Sequence, residues 1–114
     1  MSTNENPHPL TVEEAVDKLR AYISLNEEVL LASATEEDLA GFHFSIGHYI
    51  RDAFGLWSGN EALLESCRII TDTQYLHVDD ASMVILKVLW QRIKKEDRLN
   101  IVESKIIRCN NSVI

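Results

Sequence analysis

The 114-residue sequence predicts an all-α protein, a compact bundle of five or six short helices in a single domain. Three observations predict it. Apolar residues recur at three- and four-residue spacing through successive segments, the period of helices with one buried face. Residues that cap helices stand at the starts of those segments. An apolar fraction of 46% with 25% charged residues argues against disorder and provides for one hydrophobic core.

Residues 1–10 hold both prolines and read as a flexible N-terminal arm, leaving 11–114 as the helical domain. Thr11 opens the first helix, because T-V-E-E places Glu14 at capping-box spacing; Val12, Ala15, Val16, Leu19, Tyr22 and Ile23 follow at helical spacing. Asn26 is the expected cap of a short second helix. Thr35, with Asp38, starts a central helix whose first-turn acids Glu36, Glu37 and Asp38 suit the helix dipole.

That central helix, Glu36 to Phe54, puts Leu39, Phe42, Ile46, Tyr49, Ile50, Ala53 and Phe54 on one face. Gly41 and Gly47 each weaken it by about 1 kcal/mol, which predicts close packing of another backbone there. Gly55 stands where a helix end favours a left-handed residue, and LWSGN reads as a tight turn. Asn60 caps a helix through Leu63, Leu64, Cys67 and Ile70. After an irregular link over 71–78, Asp79 caps another, with Met83, Leu86, Leu89, Trp90 and Ile93 as its stripe. Residues 99–109 fit a helix through Leu99, Val102, Ile106 and Cys109, although IV and KIIRC would also suit a strand.

The net charge of −7 is unevenly spread. Residues 1–40 carry nine acids against two bases, residues 41–86 six against two, and residues 87–114 three against seven. An acidic N-terminal part repels nucleic acid and favours a basic partner, although the basic C-terminal helix could instead pair with it inside the fold. No run of about 18 apolar residues exists to span a membrane. MSTNENPHPL has no basic start followed by an apolar block, so no signal peptide is expected. Two distant cysteines, Cys67 and Cys109, fit a reduced, cytoplasmic chain.

Candidate chemistry is sparse, and no catalytic residue, cofactor or metal is expected. His43, in the apolar stripe, reads as a buried hydrogen-bonded histidine. His48 lies about 140° away on a helix, so the two cannot share a metal. His48 and Asp52 have ion-pair spacing. Arg51 and Trp57 could bind an anion or stack, or Arg51 could tie the turn to the helix end. His77, Asp79 and Asp80 bunch three possible ligands, but capping accounts for both aspartates. Cys67 reads as a core thiol. There is no G-x-S-x-G, HExxH or phosphate-binding glycine loop, so an enzyme is not expected.

HFSIGHYIRDAFGLWSGN followed by HVDDASMVI resembles an uncharacterised family of small bacterial domains. Its pattern runs H-F-x-x-G-x-x-I-R-N-x-x-G-L-W-x-G-N, then H-P-D-D-x-S-x-x-I. The matches are His43, Phe44, Gly47, Ile50, Arg51, Gly55, Leu56, Trp57, Gly59 and Asn60, then His77, Asp79, Asp80, Ser82 and Ile85. Asp52 and Val78 depart from it. The resemblance covers about residues 36–95 and implies a small helical domain that brings no activity of its own. Such domains are similar to small proteins encoded beside bacterial toxins, which implies an immunity role of the contact-dependent growth inhibition type.

The functional expectation is therefore a monomeric immunity protein that neutralises a basic toxin domain, such as a nuclease, through its acidic surface. Glu13, Glu14, Asp17, Glu27, Glu28, Glu36, Glu37 and Asp38 are the expected contacts. The alternative is a small-ligand or enzymatic pocket around His43, Arg51, Trp57, Asn60, His77 and Asp80.

Overall fold

The computed structural model describes the backbone of residues 8–113 and the side chains of residues 8–96. In chain order it forms α1 (Val12–Tyr22), α2 (Leu25–Ser33), a 3₁₀ turn (Glu37–Phe42), a π turn (His43–Gly47), α3 (His48–Ala53), α4 (Glu61–Thr71) and α5 (Val78–Val113). Among the described residues there is no strand. The ambiguous segment 99–109 is part of α5.

α5 organises the bundle: α1, α2, α3, α4 and the π turn all pack on it. Ala81, Ser82, Ile85, Leu86, Leu89 and Ile93 are buried, while Met83 and Trp90, expected in the stripe, are only partly so. With neighbours on several sides a helix buries a wider arc than one stripe, which is why Ile85 joins the core. α1 adds Val12, Ala15, Val16 and Leu19; Tyr22, expected in the core, is exposed and stacks on Tyr49. α4 adds Leu63 and Cys67, whereas its expected core residue Ile70 is exposed.

Caps fix where the chain turns. Thr11 Oγ1 accepts from the Glu14 N–H at 3.1 Å, while the Glu14 carboxylate takes the Leu10 N–H at 2.9 Å. The cap of α2 is Ser24 rather than Asn26: Ser24 and Glu27 form a reciprocal capping box, satisfying two orphan donors where a lone asparagine would satisfy fewer. Thr35 and Asp38 pair in the same reciprocal way at 2.9 and 3.3 Å. The Thr35 backbone N–H, and after it the Thr35 hydroxyl, hold the Asp38 carboxyl below its usual range.

α2 has no basic residue in its last turn. Its end is held from α5, where Trp90 Nε1 donates to the Ala34 carbonyl at 3.1 Å and Lys94 Nζ to that of Ala32 at 3.0 Å. These bonds satisfy carbonyls that a helix C-terminus leaves without intrahelical partners.

The central helix expected over Glu36–Phe54 is not one α-helix. It divides into the 3₁₀ turn, the π turn and α3, yet Leu39, Ile46, Ile50 and Phe54 still reach the core. A Cβ at Gly41 would meet nothing within 4 Å, so no neighbouring backbone packs there. One at Gly47 would lie 3.1 Å from Arg51 Nη1 and 3.5 Å from the Phe42 carbonyl oxygen, so the Arg51 guanidinium makes the tightest approach in the space that Gly47 leaves.

Candidate functional site

The sequence motif folds into a buried polar knot. α3 carries Arg51 inward to 5% exposure, where its guanidinium meets the π turn and the first turns of α5. Nη1 donates to Ser82 Oγ at 2.9 Å and lies 3.4 Å from His43 Nδ1. Nη2 donates to the His43 carbonyl at 3.1 Å, and Nε lies 3.5 Å from Asp79 Oδ1. Ser82 in turn donates to the Asp79 carbonyl at 2.7 Å. A buried charge is tolerable only when paired and hydrogen-bonded, and the rigid fork of arginine can serve several acceptors at once.

His77 and Asp79 take other parts than expected. α5 begins at Val78, so Asp79 lies inside its first turn and cannot cap it. The cap is His77, whose Nδ1 accepts from the Asp79 N–H at 3.0 Å. This leaves the Asp79 carboxylate near enough to Arg51 to pair with it. Asp80 is exposed beside it.

Asn60 closes the other side of the motif. Its Oδ1 accepts from the Leu63 N–H at 3.3 Å, capping α4, and its Nδ2 donates to the Phe54 and Pro9 carbonyls, both at 2.8 Å. One side chain thus holds the end of α3, the start of α4 and the incoming chain. Residues 8–10, expected within the arm, are docked there: Pro9 is fully buried, and His8 lies over Gly55. The rest of the expected arm, residues 1–7, lies outside the described residues.

Of the residues of the alternative pocket only His43 and Arg51 are brought together, joined by Ser82 and Asp79. Trp57 is 59% exposed, His77 is engaged in capping, Asn60 closes the other side and Asp80 is exposed. Three clefts stand out elsewhere, between α2 and α5, beside Trp90 and Lys94, and between Ile70 and Val88. Among the described residues, no group of three or more His, Cys, Asp or Glu side chains could hold a metal, and no helix is long and apolar enough to cross a membrane. Cys67 is a core thiol within 3.6 Å of the Ala81 carbonyl, and burial pushes its pKa up to about 12. The side chain of Cys109 lies outside the described residues.

The acidic contacts expected from sequence divide in three. Asp17 pairs with Arg92 at 2.8 Å, Glu28 with Arg20 at 3.0 Å and Glu36 with Lys87 at 2.6 Å. Part of the N-terminal acidity is thus matched inside the fold by bases of α5. Glu14, Glu27 and Asp38 accept from backbone N–H groups and have no lysine or arginine partner among the described residues. Glu13 and Glu37 have neither a hydrogen bond nor an ion pair from their side chains among the described residues. Arg20 also bonds Glu96, which holds the Arg20 guanidinium above and the Glu96 carboxyl below their usual ranges.

Sequence reasoning missed the placement of Ser82 and Asp79 beside Arg51. Both lie in HVDDAS, so the signal was present, but nothing local indicated which distant side chain they would meet. The chain matches neither a curated protein nor a solved structure. The family model described as a domain of unknown function, DUF6794, matches residues 8–93, the stretch that contains the arginine knot, the Asn60 clamp and the docked residues 8–10. The chain belongs to the DUF6794 family.

Proposed function

We propose that this chain is an immunity protein, a protein-binding module that neutralises a basic toxin domain by covering it with an acidic surface. The observation that supports this reading is the charge left after the internal pairs have formed. Residues 8–96 contain fifteen acids and eight lysines and arginines. Seven of those acids pair with Arg20, Arg51, Arg68, Lys87 and Arg92. Glu13, Glu14, Glu27, Glu37, Asp38, Asp52, Asp72 and Asp80 have no lysine or arginine partner among the described residues. A surface of this sign steers a cationic protein toward it and repels nucleic acid.

A nuclease is the favoured toxin, because an enzyme that grips a phosphate backbone presents a basic face. The arginine knot then serves the fold, and binding belongs to the surface. Asp17, Glu28 and Glu36, already paired, contribute less than Glu13, Glu27 and Glu37. The test is co-expression with candidate basic toxin domains, including any that a neighbouring gene is found to encode. Protection of growth and a stoichiometric complex support the reading. A chain that neither protects nor binds contradicts it.

A further inference from the structure

α2 turns most of its apolar surface to solvent. Leu31 is its one fully buried residue, whereas Leu25, Val29 and Leu30 are 76%, 58% and 57% exposed. A surface helix normally directs such residues inward, and a contiguous exposed aliphatic patch marks an interaction site. Leu25, Val29 and Ala32 stand at i, i+4 and i+7, so they share one face. With Ile93 of α5 they line a cleft of about 170 Å³ whose polar edge is Arg20, Glu28 and Glu96.

The charge at this edge selects the occupant. Arg20 bridges Glu28 and Glu96 at 3.0 and 2.7 Å, leaving one net negative charge at the edge of the cleft. A second copy of the chain would bring a further net charge of −7 to the same surface. A groove between two helices accepts the apolar face of a third. We infer that the α2–α5 cleft docks an amphipathic helix of a basic protein. Its aliphatic side chains lie against Leu25 and Val29, and its lysines or arginines face Glu28 and Glu96. This rests on the reading of the chain as a binder of a basic protein and adds the place where it binds.

The exposed pair Ile69 and Ile70 gives an internal control. Ile70 borders a cleft between α4 and α5 whose charged residue is Lys87, so it offers apolar surface without the carboxylates. The probe is a fluorescein-labelled peptide of about 18 residues, long enough for a helix, built from leucine and lysine with the leucines on one face. Its binding to the full chain is read by fluorescence anisotropy at low salt. Leu25→Ser with Val29→Ser should weaken binding at least tenfold, about the effect of removing a central anchor. Ile69→Ser with Ile70→Ser should leave it within about twofold. All four positions are exposed, so circular dichroism should show both variants folded.

Equal affinity of the Leu25/Val29 variant, or equal weakening of both variants, would overturn the assignment. So would a dimer that sediments as monomer only after Leu25 and Val29 are replaced, because the occupant would then be a second copy. A basic toxin domain that the parent chain is tested against in the same assay separates the two levels. If it still binds the Leu25/Val29 variant, the cleft is wrong and the immunity reading stands. If it binds neither form while the peptide still distinguishes the variants, the immunity reading fails and the cleft stands.

Discussion

Replacing Arg51 by alanine tests whether the motif is a structural knot or a ligand site. The substitution removes two hydrogen bonds from a charged donor, to Ser82 Oγ and the His43 carbonyl, each worth about 1.5–3 kcal/mol. The pair with Asp79 adds little, because that carboxylate is 45% exposed and 3.5 Å away. The expected loss is about 4 kcal/mol, within the range for breaking a buried charged pair. For a chain of this length that lowers Tm by about 15 °C, read by circular dichroism at 222 nm. Arg51→Lys should recover less than half of the loss, since an ammonium keeps the charge but lacks the fork. Trp57→Ala, at an exposed position, should cost less than about 0.5 kcal/mol. An Arg51→Ala chain melting within about 3 °C of the parent would refute the knot and return Arg51 to a ligand-binding role.

Three further predictions concern the fold. Asn60→Ala should cost about 2–3 kcal/mol in urea unfolding, by removing a cap and two side-chain hydrogen bonds, and should speed proteolysis near residues 8–10. Gly55→Ala combines a φ of +76° with a Cβ placed 2.6 Å from His8 Nδ1, whereas Gly59→Ala meets a φ of +89° in open space. Gly59→Ala should therefore cost about 1 kcal/mol and Gly55→Ala at least about 2, with His8→Ala relieving only the excess. Cys67 should resist alkylation in the folded chain. Because folding raises its pKa from 9.0 to about 12, its stabilisation is complete below pH 9 and is lost as pH rises through that interval. Its contribution to the slope reaches about 1.4 kcal/mol per pH unit and is absent in Cys67→Ala, which keeps the smaller alkaline slope from the raised Tyr49 phenol.

What was legible in the sequence was local. Apolar spacing located most of the helices, and Thr11 and Asn60 marked two starts correctly, because a cap and its target N–H lie within three residues of each other; Thr35 pairs with Asp38 but opens a 3₁₀ turn at Glu37 rather than the expected helix. Ser24 was legible in principle through Glu27 three residues on; Asn26 competed for the same turn. The π turn was not legible, because it depends on Arg51 being buried against Gly47 and Ser82, and Ser82 lies 31 residues further along the chain. Charge counting failed for the same reason. The acids of residues 1–40 form a visible block, but Asp17 meets Arg92 and Arg20 meets Glu96 across 75 and 76 residues. Tertiary pairing decides which carboxylates remain for a partner, and no local window contains it.

The most direct measurement is the association rate of this chain with a basic nuclease toxin domain that co-purifies with it from its host, across a salt series, for the parent and a variant with Glu13, Glu27 and Glu37 each changed to lysine. The account predicts fast, steeply salt-dependent association in the parent and a loss of at least about tenfold at low salt in the variant. The same reversal at the paired positions Asp17, Glu28 and Glu36 should slow it less, once the variants are confirmed to be folded. Absence of a complex, or an association rate indifferent to all six carboxylates, would contradict the account.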